Sequence, residues 1–166
     1  MAKVHLVKNA AQDYPQAGIK KGESYYWWAF YGQKRQISKE MPKKSQTVSS
    51  EFLQEVYSVE EDLGVLHASK YPNPEDSEDL SSDVGDFVGR IQDAQEECQS
   101  KYDDLNEGFQ AGPTGELLQG RVDSAQEMID AIEVIDLNFD PDGDESYADW
   151  LQGRIDELQA VSYEGE

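Results

Sequence analysis

The chain has 166 residues, of which 37% are apolar against roughly 45–50% in an average globular domain, and a net charge of −21. One cysteine, Cys98, excludes an internal disulfide and a cysteine metal cluster. With no run of eighteen apolar residues and no signal-peptide core, the composition predicts a soluble, cytoplasmic protein with no membrane partner, of one domain or a small module plus a larger one.

The charge is unevenly spread. Residues 1–50 carry nine Lys/Arg (Lys3, Lys8, Lys20, Lys21, Lys34, Arg35, Lys39, Lys43, Lys44) against three acids, a balance of +6. Residues 51–166 carry five Lys/Arg against thirty-two acids, a balance of −27. A basic arm beside an acidic body points to charged macromolecules as partners. The division predicts a basic aromatic module over residues 1–48 and an acidic helical bundle over 49–166, an α+β architecture that is mostly α.

Along the chain, Val4, Leu6 and Val7 suggest a short strand, with His5 among them. Residues 25–31 then hold six aromatic rings in seven positions. Gly32-Gln33 fits a two-residue hairpin turn, and Lys34–Met41 reads as the return strand, stopped by Pro42. That register places Tyr26, Trp28 and Phe30 on one face with Ile37, and Tyr25, Trp27 and Tyr31 on the other with Ser38 and Lys34. An isolated hairpin is marginal in water, so it must dock or recruit the Val4–Val7 segment. Lys43–Thr47 reads as a connector.

From Ser49 the pattern becomes helical, with Ser49 or Ser50 as N-cap. Phe52, Val56, Val59, Leu63 and Leu66 form the first apolar stripe. Residues 71–79, with Pro72 and Pro74, read as a loop. The second stripe runs from Val84 through Phe87, Ile91, Ala94 and Cys98 to Phe109, with Cys98 as a small core residue, and Gly108–Gly115 is the break after it. Leu118, Val122, Ala125, Ile129 and Ile132 form the third stripe; Tyr147, Leu151, Ile155 and Leu158 form the fourth. The short link between the second and third predicts antiparallel neighbours.

Three helices share a phrase: Gly89-Arg90-Ile91, Gly120-Arg121-Val122 and Gly153-Arg154-Ile155, each followed by acids, Ala or Leu, and Gln. A helix-interior glycine costs about 1 kcal/mol relative to Ala, which suggests close helix approach or a kink. Arg90, Arg121 and Arg154 are then fasteners, laying their stems on the seam and their guanidinium groups on a neighbour's carboxylate.

The acidic stretch Asn138, Asp140, Asp142, Asp144 and Asp149 follows calcium-loop spacing. It departs at its opening Asn, at Glu145 where an apolar residue is usual, and at its closing Asp. A solvated turn with Asp144 or Ser146 capping the next helix is the preferred reading. His5 and His67 are isolated, and no phosphate loop or dinucleotide turn occurs, so no catalytic residues and no cofactor are expected.

Rings interleaved with cations suit nucleic acid, where rings stack on bases and cations meet phosphates. The stretch Tyr25–Phe30, Gly32, Lys34-Arg35 and Ser38-Lys39 resembles the arm-site-binding hairpin of phage tyrosine integrases; no integrase catalytic region follows. The segments Met1–Lys8, Lys21–Trp28, Gly112–Leu118 and Ser162–Glu166 are similar to small uncharacterised accessory proteins of tailed phages, which implies a phage setting and brings no established activity.

The leading expectation is a non-enzymatic protein whose hairpin contacts nucleic acid through Lys34, Arg35, Lys39, Lys43, Lys44, Tyr25 and Trp27. A second is that the acidic body imitates nucleic acid and occupies a basic host protein. A third is self-association into a homo-oligomer with a structural role.

Overall fold

The computed structural model describes residues 1–165. Three short strands and five helices follow one another, 55% of the chain helical and 7% strand, which is the α+β, mostly α fold the sequence predicts. The chain divides into two compact units, Met1–Gln54 and Glu55–Glu166, and the division falls within the first long helix.

In the first unit, β1 (His5–Val7), β2 (Tyr25–Trp28) and β3 (Gln36–Ser38) form an antiparallel sheet in the order β1-β2-β3. The hairpin recruits the N-terminal segment, as a lone hairpin must. The register differs from the sequence expectation: Tyr26 pairs with Ser38, Trp27 with Ile37 and Trp28 with Gln36. The cause is the turn. Gln33 N–H donates to Phe30 C=O at 3.0 Å, and Gly32 has φ 73°, so Gly32 occupies the third rather than the second turn position. Three steps then separate Gln33 from Gln36 but only two separate Phe30 from Trp28, leaving one extra residue on the return side.

A one-residue slip exchanges faces. Ile37 therefore lies with Trp27 and Tyr25, not with Trp28. Ala10, Ile19 and Tyr25 form a small core there, with Val7, Tyr14, Ala17, Trp27 and Ile37 packed against it. On the opposite face Trp28 is buried and its Nε1 donates to Gln46 C=O at 2.9 Å. The connector contains a single 3-10 turn, Ser45–Thr47, which presents that carbonyl.

The helices are α1 (Glu51–Leu63), α2 (Ser77–Asp103), α3 (Glu107–Gln110), α4 (Pro113–Glu133) and α5 (Tyr147–Gln159). Every residue of the first and fourth predicted stripes is buried except Tyr147, which is half-buried. The stretch expected to be loop over 71–79 is shorter: a 3-10 turn, Pro74–Asp76, leads into α2 at Ser77, and Leu80 joins the core. Asn73 and Asp76 form a reciprocal cap on that turn, and Glu78 and Asp79 complement the positive end of α2.

The second stripe ends earlier than its periodicity suggests. α2 stops at Asp103, Asn106 caps the one-turn α3, and Phe109 is exposed. Val88, rather than Phe87, holds the buried position beside Val84 and Ile91. The expected break at 108–115 is mostly helix, since Pro113 opens α4. α2 and α4 are antiparallel: Gln95 Nε2 donates to Val122 C=O, and Cys98 Sγ lies 3.6 Å from Leu118 C=O. Cys98 is a buried core residue.

Candidate functional site

The aromatic sheet does not present its rings as the sequence suggests. Tyr25 is a core residue, 9% exposed, and its hydroxyl lies 3.5 Å from that of Tyr14. It is therefore removed from the candidate base-stacking set. Trp27 is half-buried and already stacked: the His5 ring lies parallel to it at 4.2 Å, and the Arg35 guanidinium sits 4.3 Å from its centroid. β1 supplies His5 and the chain entering β3 supplies Arg35, so the central strand's indole is flanked from both sides. The ring exposed at the hairpin tip is Tyr31, beside exposed Lys34 and Arg35.

The other predicted cations are spread along the connection. Lys39 Nζ lies 3.1 Å from Glu23 Oε1; the Lys20 N–H, together with that Lys39 bond, holds the Glu23 carboxyl below its usual range. Lys43 is exposed and Lys44 half-buried at the 3-10 turn, where Thr47 Oγ1 donates to the Lys44 carbonyl. The fold thus groups Tyr31, Lys34 and Arg35, but draws Lys39, Lys43 and Lys44 into local structure.

In the helical unit the three repeat arginines diverge. Arg90 is a clamp from α2 onto α1: Nε binds Glu55 Oε1 at 2.6 Å, Nη1 binds Asp62 Oδ2 at 2.8 Å, and Nη2 donates to Ser58 Oγ at 3.1 Å. Arg154 turns along its own helix to Glu157 at 2.7 Å. The positive field of Arg121 reaches Cys98 and Tyr163, although burial dominates both and pushes the thiol up and the Tyr163 phenol up to about 12. The repeat glycines do not serve close packing, because a Cβ at Gly89, Gly120 or Gly153 would meet nothing within 4 Å. The close approach falls at Gly115, where a Cβ would run into the Gln110 backbone.

Two partnerships escaped the sequence reading. Glu55, Ser58 and Asp62 sit three and four residues apart on α1, a spacing that marks one helix face and could have been matched to Arg90. Buried Tyr71 donates its hydroxyl to Asp83 Oδ2 at 2.5 Å, and Lys70 Nζ approaches the same oxygen at 2.5 Å. Those two bonds hold Asp83 below its ordinary value, while burial pushes Tyr71 up to about 12. Nothing local in the sequence couples Lys70-Tyr71 to a helix residue twelve positions on.

The acidic loop behaves as a capped turn. Asp140 Oδ1 accepts the Asp142 N–H at 3.0 Å, and Ser146 Oγ accepts the Asp149 N–H at 3.2 Å while donating to that carboxylate at 2.6 Å. Asn138 bonds back to Asp136, which lowers that carboxyl. Asp144 is exposed. Among the described residues no three His, Cys, Asp or Glu side chains group as metal ligands would.

The carboxylates themselves form the largest charged surface. Along α2, Glu78, Asp79, Asp86, Asp93, Glu96 and Glu97 are exposed, and along α4 every acid from Glu116 to Glu133 is exposed. The cations among them are tied up. Lys70 holds Asp83, Arg90 holds Glu55 and Asp62, Lys101 holds Glu97 at 2.6 Å, and Arg154 holds Glu157. The 27 residues of α2 span about 40 Å at 1.5 Å per residue. α2 and α4 together carry ten net negative charges over that length, about one per 4 Å, against about one per 1.7 Å along duplex DNA. The linear charge density of the two helices is thus roughly half that of duplex DNA.

No helix among the described residues is long and apolar enough to cross a membrane. Comparison with protein-family models, with curated proteins and with solved structures finds no match.

Proposed function

We propose that this chain is a non-enzymatic binding protein, an accessory protein in a phage setting, whose helical unit offers its carboxylates to a basic partner protein in place of nucleic acid. The observation that carries the reading is the pairing of Lys70, Arg90, Lys101 and Arg154 with the unit's own acids. The remaining carboxylates on α2 and α4 face solvent with one sign, on helices whose core is fixed by apolar packing. Such a field steers a basic surface and binds it in a salt-dependent way. Affinity capture from nuclease-treated lysate tests it. Nucleic-acid-binding proteins recovered at low salt and released at high salt are expected. Capture of none, or capture indifferent to ionic strength, overturns the reading.

A second reading rests on the hairpin tip. Tyr31, wholly exposed beside Lys34 and Arg35, supplies one ring and two cations to a single strand of nucleic acid. A mobility shift at low salt that weakens in Tyr31→Ala supports it, and the absence of any shift at low salt removes it.

A further inference from the structure

We infer that the helical unit seats an apolar side chain of its basic partner in a groove beside α4 and α5, so that the partner is a basic segment carrying an aliphatic or aromatic anchor. This rests on the carboxylate reading above and adds what would make that contact selective. The groove has a volume of about 680 Å³ and lies between the C-terminal half of α4, the residues just after it, α5 and the chain beyond α5. Met128, Ala131, Val134, Ile135 and Val161 give it an apolar lining. Val134, just past the end of α4, is 80% exposed and presents its side chain to this groove.

Charge decides the occupant. Glu127, Glu157 and Glu164 border the apolar lining, and Arg154, the cation there, is already on Glu157. The helical unit of a second copy would bring like charge to the groove, which opposes docking through that unit. An acidic or neutral peptide gains nothing from Glu127 and Glu164. A segment with Lys or Arg on either side of a Leu or Trp meets both features at once: the anchor leaves water on Val134 and Ile135, and the flanking cations meet the carboxylate rim.

Two synthetic peptides of equal positive charge test the inference on the full chain, one with a central Trp-Leu pair and a twin with Ser-Gly in its place. Binding is followed by fluorescence anisotropy at low and high salt. The anchored peptide is expected to bind at least about tenfold tighter, the fold-change that burial of one such side chain supplies. The advantage should shrink in Val134→Ser and vanish in Ala131→Trp, which fills the groove from an exposed helix position. Equal, salt-sensitive binding of both peptides overturns the groove inference and leaves the carboxylate reading standing. An advantage unchanged in Ala131→Trp also overturns it. If neither peptide binds at low salt, both fall.

Discussion

The two units reach a defined structure by different routes. In the helical unit, apolar residues repeat often enough that the core follows from spacing, and local errors at helix ends leave the stripe intact. In the sheet unit, strands of three and four residues carry too few positions to average out an error. One residue of turn geometry at Gly32 decides which rings are buried. The contrast teaches that periodic elements tolerate misplaced boundaries, whereas a short hairpin does not. It also moves the functional emphasis: the aromatic residues that look like a binding face are largely the sheet unit's own packing, while the featureless acids of the helices form the available surface.

The sharpest way to break the comparison is to remove a ring on which the sheet unit depends. Trp28→Ala deletes a buried indole and its hydrogen bond to Gln46, and should lower stability by about 3–5 kcal/mol in denaturant unfolding. Tyr31→Ala, at the exposed tip, should change it by less than about 0.5 kcal/mol. Equal effects of the two would dissolve the distinction between packing rings and presented rings.

A second test separates the repeat arginines. Arg90→Ala removes three bonds that tie α2 to α1 and should cost about 1–2 kcal/mol. Arg154→Ala loses one partly exposed pair within its own helix and should cost under about 1 kcal/mol. Similar losses from both would argue for an equivalent role that the geometry does not give them.

The Tyr71–Asp83–Lys70 group makes the helical unit pH-sensitive at both ends. Asp83 is held low in the fold, so its contribution is present above the ordinary carboxylate value and fades as pH falls through the depressed one. Tyr71 is held high, so its contribution is complete below pH 10 and fades as pH rises toward about 12. Asp83→Asn should flatten the acid side of the stability profile and cost about 1 kcal/mol at neutral pH. An unchanged acid limb in the variant would show that other carboxylates govern it. In absorbance titration, Tyr71 and Tyr163 should ionise only toward about pH 12, because burial holds both phenols up.

Three further substitutions act with the opposite sign. Ala at Gly89, Gly120 or Gly153 has room at each helix-interior site and should raise stability by about 0.5–1 kcal/mol. Ala at Gly115 should instead destabilise, because the Gln110 backbone occupies the space. Calorimetry on the four single variants distinguishes repeat glycine from packing glycine.

Much of this architecture is legible in the sequence. Phe52, Val56, Val59, Leu63 and Leu66 mark α1 by spacing alone, and of the two caps expected for α5, Asp144 and Ser146, it is Ser146 that caps. The extension of α2 back to Ser77 was hidden by two prolines, one of which sits in the first turn of a 3-10 segment where proline is well tolerated. The site was less legible. Gly32 announces a turn, but whether it takes the second or third position depends on where the extra residue settles, and both patterns bury aromatic rings. Arg90's role could be matched to Glu55 and Asp62 by helix-face spacing, whereas Val134 stands out only once its helix end is seen to lie against α5 and the chain after it.

The sheet of the first unit has one further consequence, for behaviour at high concentration. Its outer strands, β1 and β3, each expose an unpaired edge only three residues long, flanked by Lys8 on one side and by Lys34, Arg35 and Lys39 on the other. An incoming strand would find few backbone partners and a cluster of cations before it could extend the ladder. A segment this rich in aromatic and β-forming residues would ordinarily be a seed for fibrils. Brief, charged edges instead make the sheet a poor template for adding strands.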